Sequence, residues 1–240
     1  MKNTRVETFY AKNEIFKKEN NLSLIKTIPD GDCFFESVKI ALDSINNKYT
    51  IQELRHEVAK RTMDLEDEEM DITMKGWMME YPYYPFVKEI AKLFQVDKVK
   101  DNEASRVVFL NSMSLDIISR KYIYNIMMTK RYWGDDTSLR TLERTLNAQF
   151  LIFSQRPLSE NPYVQEPELF IVCQPVTFGE KRKKNDETLF YMILLHTGSS
   201  HYDLIGYRNP ATRKKEFVFQ KKNLPPFIHK SFQKFLVFSP

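Results

Sequence analysis

Cysteine and glycine are scarce in this 240-residue chain, which has two of the first and six of the second. Cys33 and Cys173 cannot build a disulfide framework, and no Cys-x-x-Cys pair exists for a zinc ribbon. There is no Gly/Ser-rich hinge and no internal repeat, so one domain is the default. No stretch approaches the roughly 18–20 uninterrupted apolar residues of a membrane span, and mean hydropathy is −0.47. Met1-Lys2-Asn3-Thr4-Arg5 leads into mixed polar residues rather than an apolar signal core. Neither sign of charge dominates. The 36 basic and 32 acidic residues leave a net +4, too weak to call for nucleic acid. These absences describe a reduced, intracellular, globular protein. The Asn21-Leu22-Ser23 match to a glycosylation site is then an accident of composition.

Aromatic residues are plentiful: 12 Tyr, 18 Phe and 2 Trp supply a sizeable core and exclude global disorder. Phe34, Phe35, Val38, Ala41, Leu42 and Ile45 have helical spacing, which starts a helix at or just after Cys33. Thr50 and Glu53 form a capping box for a helix over 51–63. Residues 85–95 and about 114–129 read as further helices. Asp136, Thr137 and Ser138 offer N-cap oxygens to a helix carrying Leu139, Leu142 and Leu146. The second half changes to short apolar runs of strand length, at 150–153, 169–173 and 189–195, with 202–207 and 216–219 as two more. Helices first and strands later imply an α+β fold, a central sheet with helices packed against it. Residues 1–20 read as a polar lead-in, and 223–240 as a short helix docked on the core.

The segment richest in chemistry is Asp30-Gly31-Asp32-Cys33-Phe34-Phe35-Glu36-Ser37. A glycine turn delivers a cysteine to the first turn of a helix, where the dipole and unpaired N–H groups favour a thiolate. The N–H groups of Asp32 and Cys33 are candidate donors to an oxyanion. Asp30 and Asp32 oppose the thiolate, so a nearby imidazolium is needed. On the segment alone, a buried structural thiol and a nucleophile both remain open. Of the four histidines, His56 lies inside a helix with Lys60 where a zinc protease would need a second histidine, and His229 lies in the tail. His196 and His201 flank a turn between two strands. Strand periodicity puts His201 and Asp203 on one face, so the carboxylate can orient the imidazole, and Tyr202 on the other, toward the core. His201 is therefore the preferred base.

Asp30 through Phe35 with Ser37, then Tyr132-Trp133-Gly134-Asp135 before an amphipathic helix, then His201-Tyr202-Asp203, together resemble the ovarian-tumour (OTU) family of cysteine proteases. The resemblance covers about residues 22–207, in one domain with a mostly antiparallel sheet flanked by helices. The stretches 1–21 and 208–240 are then terminal extensions. The resemblance implies deubiquitination, the hydrolysis of (iso)peptide bonds at the C-terminus of ubiquitin or a ubiquitin-like modifier, with ubiquitin or polyubiquitin as partner. It implies Cys33 as nucleophile, His201 as base and then acid, and Asp203 as its orienter. Asp30 would shape the oxyanion loop with Gly31 and Asp32, while Trp133 and Gly134 would line the channel for the modifier's tail. It needs no metal or cofactor. Microbial and viral proteins carry such domains too, which makes a host–pathogen setting an expectation. The alternative is a non-catalytic module of the same fold that binds ubiquitin or RNA; the full Cys/His/Asp set argues against it.

Other features have plainer readings. Cys173 ends an apolar strand as a buried thiol. Trp77, Met78 and Met79 read as core, Lys181-Arg182-Lys183-Lys184 as a solvated hairpin loop, and the acidic run 64–69 as a surface loop.

Overall fold

The computed structural model describes residues 21–80, 85–93, 117–155, 169–172, 189–197, 201–226 and 228. Cys173, His229, Lys181 to Lys184, the lead-in 1–20 and most of 223–240 lie outside the described residues. The fold is α+β. The chain divides into two compact units: residues 1–27, 40–47 and 149–240 form one, and 28–39 with 48–148 form the other.

The helical unit begins with α1 (Cys33–Asp43), α2 (Ile51–Met63), α3 (Asp67–Glu80), α4 (Pro85–Leu93), α5 (Ile117–Met127) and α6 (Asp136–Thr145); the last residues of α1 count with the other unit. The capping box of α2 is present in full: Glu53 N–H donates to Thr50 Oγ1 at 3.1 Å and Thr50 N–H to Glu53 Oε2 at 2.7 Å. α2 packs on α5 and α6, and α4 on α5. The acidic run 64–69 is not all loop. Asp67, Glu68 and Glu69 form the first turn of α3, where carboxylates suit the positive end of the helix dipole. The N-cap of α6 is Asp135, one residue before the expected oxygens, and its side chain accepts from Ser138 N–H at 2.9 Å. Trp77 is buried, as a core residue should be, edge-on to Phe86 and Tyr132.

The sheet unit holds β1 (Leu22–Ile25), β2 (Ala148–Gln155), β3 (Leu169–Val172), β4 (Phe190–Thr197), β5 (His201–Arg208), β6 (Lys215–Glu216) and β7 (Val218–Phe219). Among the described residues the strand order is β1-β5-β4-β2-β3, with β6 on β5 and β7 on β4. The β1–β5, β2–β3, β4–β5, β4–β7 and β5–β6 pairings are antiparallel. Its core gathers Leu151, Phe153, Tyr191, Ile193, Leu195 and Ile205, with Phe219, Leu224 and Ile228 contributed from beyond residue 207. Met192, Leu194 and Leu204, on the opposite face of β4 and β5, are buried too. Both faces of this strand pair are therefore covered, which explains runs too continuously apolar to alternate.

Candidate active site

Cys33 opens α1 and is 1 % exposed. Phe34, Phe35 and Val38 are fully buried behind it, so the helix start is anchored by its own apolar face. The carbonyl of Asp32 accepts Glu36 N–H at 2.7 Å, which makes Asp32 the residue entering the helix. The two amides expected to serve an oxyanion both donate to Asp30. Asp32 N–H meets the Asp30 carboxylate at 2.9 Å, and Cys33 N–H meets the Asp30 carbonyl at 3.3 Å.

This loop packs on the one that precedes α6, and two glycines explain how closely. A Cβ on Gly31 would overlap the backbone carbonyl of Lys130. A Cβ on Gly134 would come within 2.5 Å of the Phe34 side chain. Both positions require the absence of a side chain more than a special turn geometry. Trp133 is half-buried between them in sequence. Tyr132 is fully buried, its hydroxyl donating to Asp135 Oδ1 at 2.6 Å, and Trp77 Nε1 donates to Asp135 Oδ2 at 2.7 Å. Burial, with the Asp135 charge beside it, holds the Tyr132 phenol well above its ordinary value. Burial also raises the carboxyl of Asp135, against the pull of its donors.

Sequence reasoning missed the group that joins these loops. Arg55 of α2 is 1 % exposed. Its Nε and Nη2 donate to Asp32 Oδ1 at 2.9 and 2.7 Å, and Nη2 to the Gly31 carbonyl at 2.7 Å. Nη1 donates to the carbonyls of Met127 at 2.8 Å and Tyr132 at 3.1 Å, and the guanidinium lies over the Phe35 ring, 4.4 Å from its centre. Burial pulls the guanidinium below its ordinary pKa, opposed by the Asp32 hydrogen bond. Lys130, on the exposed side, pairs with Asp30 Oδ2 at 2.8 Å and Asp32 Oδ2 at 3.2 Å. Burial pushes the Asp30 carboxyl up, but Lys130 and the Asp32 amide together hold it below its ordinary value. No local motif marks Arg55 or Lys130, since every partner is distant in sequence.

In the sheet unit, His201 and Asp203 are brought together. His201 Nε2 lies 3.0 Å from Asp203 Oδ1. The same oxygen accepts Thr27 N–H at 2.9 Å, and Thr27 Oγ1 donates to the Tyr202 carbonyl at 2.6 Å. Asp203 is buried and His201 half-buried. Thr27, just past β1, is a second residue that sequence reasoning missed. The β4–β5 register pairs Leu195 with Asp203 and His196 with Tyr202. His196 therefore lies on the other face of the sheet, where its ring stacks on Tyr202 at 4.6 Å.

Chemically, the helical unit presents a thiol at a helix start, and the sheet unit presents an imidazole oriented by a buried carboxylate. Among the described residues no group of three or more His, Cys, Asp or Glu could hold a metal ion. Among the same residues no helix is long and apolar enough to cross a membrane.

A family model described as OTU-like cysteine protease matches residues 28–202. No curated protein matches significantly. Solved structures similar to the chain include an OTU deubiquitinase from Wolbachia pipientis wMel bound to ubiquitin, 16 % identical over 79 % of this chain and 98 % of that one, with a TM-score of 0.40. The OTU domain of OTUD1 is 11 % identical over 84 % of this chain and 98 % of its own, at a TM-score of 0.44. The Hazara virus OTU bound to ubiquitin is 11 % identical over 78 % and 81 %, at 0.33.

Proposed function

Since the chain belongs to the OTU-like cysteine proteases, we propose that it is a deubiquitinating thiol protease, acting on (iso)peptide bonds at the C-terminus of ubiquitin or a ubiquitin-like modifier. The observation that carries this reading is the content of the matched stretch. It begins two residues before the Asp-Gly-Asp-Cys turn and ends on β5, one residue past an imidazole whose Nε2 is on a buried carboxylate.

In the proposed reaction Cys33 Sγ attacks the substrate carbonyl carbon and its proton passes to His201. With Nε2 on Asp203, the base nitrogen is Nδ1. The imidazolium then protonates the departing amine, leaving a thioester on Cys33. Water, deprotonated by His201, releases the modifier's carboxylate and restores the thiol. Asp203 holds the ring and stabilises its charge. The oxyanion competes with Asp30 for the amides of Asp32 and Cys33, so Asp30 and Gly31 set the shape of that cradle. Trp133 and Gly134 line the approach of the modifier's tail. Residues 22–207 are the proposed catalytic domain with 1–21 and 208–240 as extensions, and the proposed setting is the cytoplasm, of a host where the protein is a pathogen's.

The test is incubation with a panel of ubiquitin-chain linkages and with electrophilic ubiquitin and modifier probes. The expected result is cleavage of at least one linkage and one covalent adduct, mapped to Cys33. An adduct on Cys173, or cleavage that survives Cys33→Ala, overturns the assignment. A folded wild-type protein that binds ubiquitin with neither adduct nor cleavage is the non-catalytic module instead.

A further inference from the structure

Two carboxylates flank the nucleophile of the proposed reaction, and unpaired they would oppose the thiolate. Neither is unpaired. Asp32 holds Arg55 on one oxygen and Lys130 on the other, and Asp30 holds Lys130. Two cations thus face two anions around the 30–33 turn, at the N-terminal end of α1 whose dipole favours a thiolate, and Glu36 in the same first turn accepts Ile28 N–H at 3.4 Å. The same two side chains span both loops. Arg55 ties Gly31 to Tyr132 and Met127 from the buried side. Lys130 closes the contact from the solvent side, its side chain 65 % exposed.

We propose that Arg55 and Lys130 are positioning residues for the chemistry of Cys33, clamping the 30–33 turn to the 129–134 loop and cancelling the charge of Asp30 and Asp32. The proposal rests on the reading of Cys33 as nucleophile, and its test reads the thiol directly rather than cleavage. Arg55 is the geometric half of the clamp, because its five N–H groups suit several carbonyls and a carboxylate at once. Lys130 is the electrostatic half. Its exposed ion pairs contribute little to stability, so its variants report on the thiol in a folded protein.

The experiment measures alkylation of Cys33 in the full chain by neutral iodoacetamide and by anionic iodoacetate, with peptide mapping to separate Cys173. Lys130→Gln should slow iodoacetamide by roughly three- to ten-fold, as expected when one paired carboxylate charge is uncovered near a thiol. It should slow iodoacetate further, because uncovered carboxylates repel an anion. Lys130→Arg should restore both rates. Arg55→Lys keeps the charge and loses the fork, so the ratio of the two reagents should hold while kcat on a ubiquitin substrate falls and KM does not. Equal rates in wild type and Lys130→Gln with both reagents, or a loss that Lys130→Arg fails to rescue, overturns the clamp. A wild-type Cys33 that neither reagent modifies in native protein, while unfolded protein is modified, overturns the nucleophile and the clamp together.

Discussion

Asp203 reaches His201 from two residues away on the same strand, while Asp30 meets Lys130 from 100 residues away and Asp32 meets Arg55 from 23. The imidazole side of the proposed site is local. The ring and its carboxylate meet through the period of a strand, Thr27 joins them from 176 residues away, and the β4–β5 pair beneath, buried on both faces, supplies rigidity. The thiol side is assembled from α1, α2, the end of α5 and the loop before α6. A buried guanidinium with five hydrogen bonds to that assembly is costly to disturb. A local dyad loses function when one side chain is changed. An assembled loop loses its architecture first.

The sharpest break on the local side is His201→Ala. Removing the base should lower turnover by about a thousand-fold or more while leaving the melting temperature near wild type, since the ring is half-buried at a strand end. Steady-state cleavage and a thermal melt check both. Turnover within ten-fold of wild type would place the base elsewhere.

On the assembled side the corresponding break is Gly31→Ala. The added methyl meets the Lys130 backbone, which cannot rotate away as a side chain can. Overpacking of this kind costs typically about 1–3 kcal/mol, and the upper end is expected here. Urea unfolding should show it. An Ala variant as stable as wild type would mean that the two loops do not pack as described.

How much of this was legible in the sequence follows the same division. His201 with Asp203, the helix led by Cys33, and the bounds and capping box of α2 were readable because each depends on residues a few positions apart. α3 went unread, its acidic first turn having the aspect of a surface loop, while the cap of α6 falls one residue before the expected oxygens because several neighbouring side chains could serve equally. β1, four residues long, is too short for its Leu22-Ser23-Leu24 alternation to stand out as a strand. Arg55, Lys130 and Thr27 were invisible for a different reason. An arginine in an amphipathic helix reads as a surface cation until α5 and the two loops close around it. No short-range pattern encodes a contact over 70 residues.

A finer cut on the imidazole side separates charge from geometry. Asp203→Ala should lower turnover by more than Asp203→Asn, because Asn still accepts the ring N–H but cannot stabilise the imidazolium; each should cost about ten-fold or more. Thr27→Val keeps the backbone N–H on Asp203 and loses the hydroxyl bond to the Tyr202 carbonyl together with its longer one, 3.5 Å, to Asp203 Oδ1. It should cost about 1 kcal/mol of stability and about two-fold in turnover. An Asp203→Asn variant at the wild-type rate would remove the carboxylate from the mechanism.

The smallest effect is expected at His196, and it tests the register that underlies the whole imidazole side. His196 pairs across the hairpin with Tyr202, and Thr197 pairs with His201. Cross-strand partners share a face, so His196 and His201 lie on opposite faces of the sheet, five residues apart around one turn. A slip of one residue between β4 and β5 would put them on the same face, because every side chain on a shifted strand changes face. His196→Ala should therefore leave turnover within about two-fold of wild type and lose the ring stacked on Tyr202, about 0.5–1.5 kcal/mol for a stacked aromatic pair. Tyr202→Leu keeps the apolar burial and removes the same stack, so the two changes should be less than additive in a double-mutant cycle. An inactive His196→Ala beside an active His201→Ala would show that the strand runs in the other register, with His196 as the imidazole that serves Cys33.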